Sequence, residues 1–159
     1  MRKPWPLTLG LLLTLFALGG TSAVAAPPTI ASGTFIYTDS YFESFRTASG
    51  NVVIELVATA EYTGTFAGTS VVRGTIVVHA DGSANFRDVE IFTGTVNGVP
   101  GTVTFRLTGS NDSDLDVRAT NTIVEATGEL SGLQGVLSLQ GSVHFPEGPY
   151  GSYTGQIGD

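Results

Sequence analysis

Residues 81–108 read DGSANFRDVEIFTGTVNGVPGTVTFRLT, and the fold turns on them. Asn97-Gly98 lies between two alternating runs, and Asn-Gly is the strongest short hairpin signal because a type I′ turn needs φ > 0 at both central residues. A hairpin closed there sets Phe92 opposite Val103, Glu90 opposite Phe105 and Asp88 opposite Leu107. Opposed residues share a face. Val103, Phe105 and Leu107 are the apolar set of a strand whose other set is Thr102, Thr104, Arg106 and Thr108, so the apolar set faces inward. Asp88 and Glu90 must then point inward with it.

The same alternation extends along the chain from Gly33. Apolar spacing at 3 and 4 is never sustained; β-branched and aromatic runs are instead broken by Gly pairs, which predicts strands. They fall at 33–42, 52–66, 69–80, 83–96, 99–109, 116–130, 133–145 and 150–157, with hairpins at Ala67-Gly68, Asp81-Gly82, Asn97-Gly98 and Ser131-Gly132 and a closing turn at Glu147-Gly148-Pro149. A Thr-Gly-x-x-x-Gly phrase recurs at Thr63–Gly68, Thr93–Gly98 and Thr127–Gly132, each time running into a hairpin. Eight antiparallel strands with short connections predict an all-β, up-and-down β-barrel, since closure removes the edges that invite aggregation. A two-sheet sandwich is the alternative.

Carried through the neighbouring turns, the inner face gains more polar groups. A hairpin at Asp81-Gly82 sets Arg73 beside Glu90 and Thr75 beside Asp88, and one at Ala67-Gly68 sets Tyr62 beside Arg73. The inner wall would therefore hold Tyr62, Arg73, Thr75, Asp88 and Glu90, with Ala58 and Ala60 leaving room opposite. About Ser131-Gly132, Thr120, Thr122, Val124, Leu137, Leu139, Val143 and Phe145 turn inward, and Glu125, Gln140 and His144 outward. His79 reads as inward, opposite Leu56. A buried charge needs a partner. The cluster is therefore either a structural Arg73–Glu90 pair or a lumen site in which desolvation raises one carboxylate's pKa. Outside, Val72, Ile76 and Val78 with Val89 and Ile91 form an apolar patch that predicts a homo-oligomer through strands 3 and 4.

Composition narrows the chemistry. Arg2 and Lys3 precede an apolar run from Leu7 to Leu18 and the small residues Ala23-Val24-Ala25, the pattern of a secretory signal peptide cleaved after Ala25. The run is shorter than the roughly 18 residues of a membrane span, so a retained anchor is the lesser reading. Residues 26–32 read as a linker and 33–159 as the domain. The chain is expected to be secreted or periplasmic, free of the membrane once the signal is cleaved. Beyond the signal there are five Arg, no Lys, no Cys and all 14 acids, a formal charge of −9. That argues against nucleic acid as a partner. It also excludes Schiff-base, P-loop, disulfide and thiolate chemistry. No G-x-S-x-G elbow supports a hydrolase. Asp112-x-Asp114-x-Asp116 opens like a calcium loop but has Val117 and Ile123 where Gly and Glu belong, and reads as a solvated acidic turn. No metal and no cofactor are expected.

Phe92-Thr93-Gly94-Thr95-Val96-Asn97-Gly98 followed by Gly101-Thr102-Val103, then Thr127–Gly135 and Gly151-x-Tyr153, resemble motifs of an uncharacterised bacterial family of small barrels. Those barrels are similar to allene oxide cyclase and the dirigent proteins. The resemblance spans roughly Gly33 to Ile157. It implies an eight-stranded, calycin-like barrel with a ligand-sized lumen, related to cyclases and stereochemical guides that fold a reactive substrate. The preferred reading is a barrel that binds a small hydrophobic molecule through Tyr62, Arg73, Thr75, Phe92 and Phe105 without turning it over. The second is a cyclase or isomerase with Glu90 or Asp88 as catalytic base or cation stabiliser. The third is a structural or surface protein without a ligand.

Overall fold

The computed structural model describes residues 27–144 and 148–159; the signal-peptide segment and Phe145 lie outside them. Eight antiparallel strands, β1 (Thr29–Ala48), β2 (Asn51–Gly64), β3 (Phe66–Val78), β4 (Ala84–Val96), β5 (Val99–Asn111), β6 (Asp116–Gly128), β7 (Gln134–His144) and β8 (Gly148–Gly158), follow one another in sequence order. They form a closed barrel in which β1 also pairs with β8. The first strand starts at Thr29, inside the segment read as a linker.

The Asn97-Gly98 hairpin forms as its residues dictate. Asn97 and Gly98 have φ of 50° and 84°, and Phe92, Glu90 and Asp88 stand opposite Val103, Phe105 and Leu107. Three other connections differ from the expected two-residue turns. His79 and Ser83 bracket a three-residue loop, with Gly82 donating to the His79 carbonyl at 3.1 Å, so Arg73 pairs with Val89 and Thr75 with Arg87. The β2–β3 turn sits at Gly64-Thr65, not Ala67-Gly68, which sets Tyr62 opposite Gly68 and Ala60 opposite Ser70. The β6–β7 connection starts after Gly128, so Asn121 opposes Leu137 and Ala119 opposes Leu139.

Because side chains alternate, each odd-numbered slip exchanges the two faces of a strand. On β3 the inward set is Phe66, Ser70, Val72 and Ile76, and Arg73 and Thr75 point outward. The slips at the two ends of β3 cancel on β2, where Leu56, Ala58, Ala60 and Tyr62 do face inward and are buried. On β6, Ala119, Asn121 and Ile123 face inward and are buried, while Thr120, Thr122 and Val124 are exposed. The expected outer patch is corrected accordingly. Val72 is fully buried and Ile76 packs on the core, leaving Val71, Val89 and Ile91 exposed.

The interior is not uniform along its axis. At one end Phe35, Tyr62, Phe66, Phe92, Phe105 and Tyr153 fill the lumen, with ring centroids 5.5 to 6.2 Å apart. Each such buried ring contributes roughly 1.5–3 kcal/mol. They fit because the wall beneath is glycine. A Cβ on Gly94 would meet the Phe92 ring at 2.8 Å, and one on Gly33 would meet Tyr153. Toward the other end the inward positions Gly74, Ile76, Val78 and Phe86 are only half-buried. Here β1 outruns its pairing with β8, which ends at Ile36, and continues against β2 alone through two bulges. The extension stands at this second end of the barrel. Its Phe42 and Phe45, opposite Leu56 and Ile54, are 47% and 60% exposed and meet edge-to-face at 5.2 Å.

Candidate functional site

Glu90 sits between the aromatic end of the interior and the end where Ile76 and Phe86 are half-buried, with no exposed surface. Strand β4 turns it inward, and three neighbouring elements bring donors to it. Ser70 on β3 donates to Oε1 at 2.5 Å, and Tyr62 on β2 and Asn121 on β6 donate to Oε2 at 3.1 and 3.0 Å. No cation reaches it among the described residues. Burial pushes the Glu90 carboxyl up, and the three donors pull it back. Tyr62 is held well above its usual phenol range by burial and by the Glu90 charge, so it remains a donor at all ordinary pH.

Asp88 lies one inward step along β4, over Gly74 and opposite Leu107. It is 6% exposed, and its Oδ1 has no hydrogen-bond partner. Burial, then repulsion from Glu90, raises its carboxyl to about 7. Asn121 Oδ1 is the second buried acceptor without a partner. Tyr37, inward on β1, is also pushed well up by burial and by the charges of Glu90 and Asp88. Two carboxyls, two phenols, a hydroxyl and an amide thus share an apolar interior. Buried polar atoms without partners are rare in folded proteins and call for an explanation.

Of the residues expected at the site, Tyr62, Asp88 and Glu90 stand together on the inner wall. Phe92 and Phe105 are fully buried in the aromatic end. Arg73 does not belong to the cluster; it is an exposed outer residue whose guanidinium donates to Glu43 at 3.4 Å. Thr75 is likewise outside, donating to Glu55 at 2.9 Å. The Arg73–Glu90 pair therefore does not exist, and neutral donors take its place. Ser70, Asn121 and Tyr37 escaped the sequence reading because the turns beside them were placed wrongly or, for Tyr37, because β1 had no hairpin of its own to set its face.

His79 is not inward opposite Leu56. It closes the β3–β4 loop between Asn51 and Asn85, at 3.2 and 2.7 Å. His144 is exposed and packs on Tyr150 at 4.9 Å. In the acidic turn, Asp112 Oδ1 accepts from the backbone of Asp114 and Asp116, both at 3.0 Å. Among the described residues no group of three His, Cys, Asp or Glu is placed to hold a metal ion.

These features define a class: a single closed antiparallel barrel with a neutral-donor carboxylate site in its lumen. The chain belongs to the family described as protein of unknown function (DUF3224), whose model matches residues 31–145. It is similar to a solved protein of unknown function from the same family, from Shewanella oneidensis MR-1, at 21% identity and a TM-score of 0.61. The match covers 82% of this chain and 96% of that one. No curated protein matches the sequence.

Proposed function

We propose that the barrel is exported and binds a small, mainly hydrophobic molecule in the open half of its lumen, against Asp88 and Tyr37. One observation carries this reading: Asp88 Oδ1, buried on an apolar wall without a partner, sits between the Glu90 cluster and the half-buried Ile76 and Phe86. A ligand hydroxyl or amine there would satisfy an atom that otherwise costs roughly 1–3 kcal/mol. Leu56, Leu107 and Leu139 supply apolar wall, and the exposed Phe42–Phe45 pair marks the rim. The calycin-like fold and the resemblance to allene oxide cyclase and the dirigent proteins belong to the same reading. So does self-association, with Val71, Val89 and Ile91 as the exposed apolar residues of β3 and β4.

A second reading, cyclase or isomerase chemistry, has its own support. A carboxyl held at about 7 can give or take a proton near neutral pH. Asp88 is then the acid or base, and Glu90 and Tyr62 are positioning residues.

Native mass spectrometry of the purified chain tests the binding. The expected result is a co-purifying neutral small molecule, lost in Asp88→Leu and retained in Arg73→Ala. A chain that carries no adduct and takes up no neutral probe such as N-phenyl-1-naphthylamine would overturn the proposal. Conversion of the recovered molecule on incubation would favour the second reading.

A further inference from the structure

The outside of the barrel carries an unexpected distribution of charge. Against 14 acids, the five Arg that follow the N-terminal segment all stand on the outer face: Arg46 on β1, Arg73 on β3, Arg87 on β4, Arg106 on β5 and Arg118 on β6. Register gathers them. Arg73 and Arg106 flank Val89, and Arg87 lies between Thr75 and Thr108. A second row runs from Arg46 through Val53, Val77, Asn85 and Ser110 to Arg118. The only carboxylates on β3, β4 and β5 are Asp88 and Glu90, and both point inward. The outer face of these three strands is therefore free of negative charge in a strongly acidic domain.

A groove of about 600 Å³ opens on this face, lined among others by Arg46, Val53, Thr75, Asn85, Arg87 and Thr108. No acid lines it. Among the described residues, only Arg73 has a carboxylate within 4.0 Å, that of Glu43; Arg46 and Arg87 have none. Glu55 stands beside the groove, opposite Thr75, whose hydroxyl it engages at 2.9 Å. Arg46 and Arg87 sit three strands apart and two residues out of register, a backbone separation of about 16 Å, which two extended guanidinium side chains can close over an oxyanion. Forked Arg donors suit carboxylate and phosphate better than any other side chain does. The Thr108 hydroxyl and the Asn85 amide, which keeps one N–H beyond its bond to His79, add hydrogen bonds, and Val53 supplies an apolar contact.

We propose that this groove is a binding site for a small anionic molecule, its carboxylate or phosphate group held between Arg46 and Arg87. The site is separate from the lumen and stands or falls without it. Isothermal titration of the full chain at low ionic strength, with citrate and inorganic phosphate as probes, tests it. Saturable 1:1 binding of one probe is expected, and which one binds distinguishes carboxylate from phosphate recognition. Arg46→Gln and Arg87→Gln should each weaken binding about tenfold, equivalent to about 1.4 kcal/mol. Arg118→Gln, on the same face but outside the groove lining, should leave it within about twofold, and Asp88→Asn should not change it. Arg87→Lys, which keeps the charge and loses the fork, should fall between the native chain and Arg87→Gln. Absence of saturation by either probe would overturn the proposal. So would equal weakening by all three Gln variants, because the attraction would then be diffuse.

Discussion

Replacing Asp88 by Asn should make the barrel more stable at neutral pH, and the size of the gain follows from its surroundings. The carboxyl ionises at about 7 in the barrel against 3.8 for the exposed group, chiefly through burial and then through Glu90. Below pH 4 both native and unfolded chains hold the proton, and the group adds nothing. Between pH 4 and 7 the unfolded chain releases the proton and the native barrel keeps it, so stability falls as pH rises. Above 7 both are ionised and the full penalty stands, on the order of 4 kcal/mol. That is a large share of the roughly 5–15 kcal/mol that holds a domain folded. Asn has the shape of the protonated acid and no proton to lose. Urea denaturation from pH 4 to 8 should show the native chain losing stability and Asp88→Asn losing much less. A slope of the same sign should remain from Glu90, whose carboxyl is also raised by burial. Parallel curves for the two proteins, or a variant less stable than the native chain at pH 8, would show that burial exacts no penalty on the Asp88 charge.

Tyr153→Phe should cost about 1–2 kcal/mol, because its hydroxyl accepts from the Phe66 backbone and donates to the Thr63 carbonyl, both at 2.9 Å, tying β8 to the β2–β3 turn. An unchanged denaturation midpoint would show that this tie contributes nothing. Arg73→Ala should change stability by less than about 1 kcal/mol, since its pair with Glu43 is exposed. Loss of lumen binding in that variant would contradict the outward placement of Arg73.

Strand number, barrel closure and the inward direction of Asp88 and Glu90 were legible because Asn97-Gly98 is a turn with one geometry and β5 has one apolar face. The partners of Glu90 were not legible, and the cause is local. Asp81-Gly82 reads like Asn97-Gly98, yet Asp81 uses its carboxylate to accept from the Ser83 backbone and hydroxyl, at 3.0 and 2.7 Å. With Gly82 at φ 88°, the loop takes three residues, a length that also ends in a left-handed Gly. The recurring Thr-Gly-x-x-x-Gly phrase hides a similar ambiguity. At 93–98 its last glycine makes the turn, whereas at 63–68 its first one does. Alternation turns each such difference into an exchange of faces, which put Arg73 inside and left Asn121 out. Tyr62 faces inward as expected because two slips cancel and because it continues the apolar set Ile54, Leu56, Ala58 and Ala60 of its own strand. No pattern in the sequence separates these cases; the neighbouring strands do, by burying Val72 and Asn121 and exposing Arg73.

The proposed binding site is the end of the lumen that holds Asp88. Intermolecular NOEs between the full chain and bound N-phenyl-1-naphthylamine locate a neutral probe directly. The expected result is contacts to the methyl groups of Leu56, Ile76, Leu107 and Leu139, inward residues of the end that holds Asp88. Contacts confined to Val71, Val89 and Ile91 on the outer face, or none at all, would contradict it.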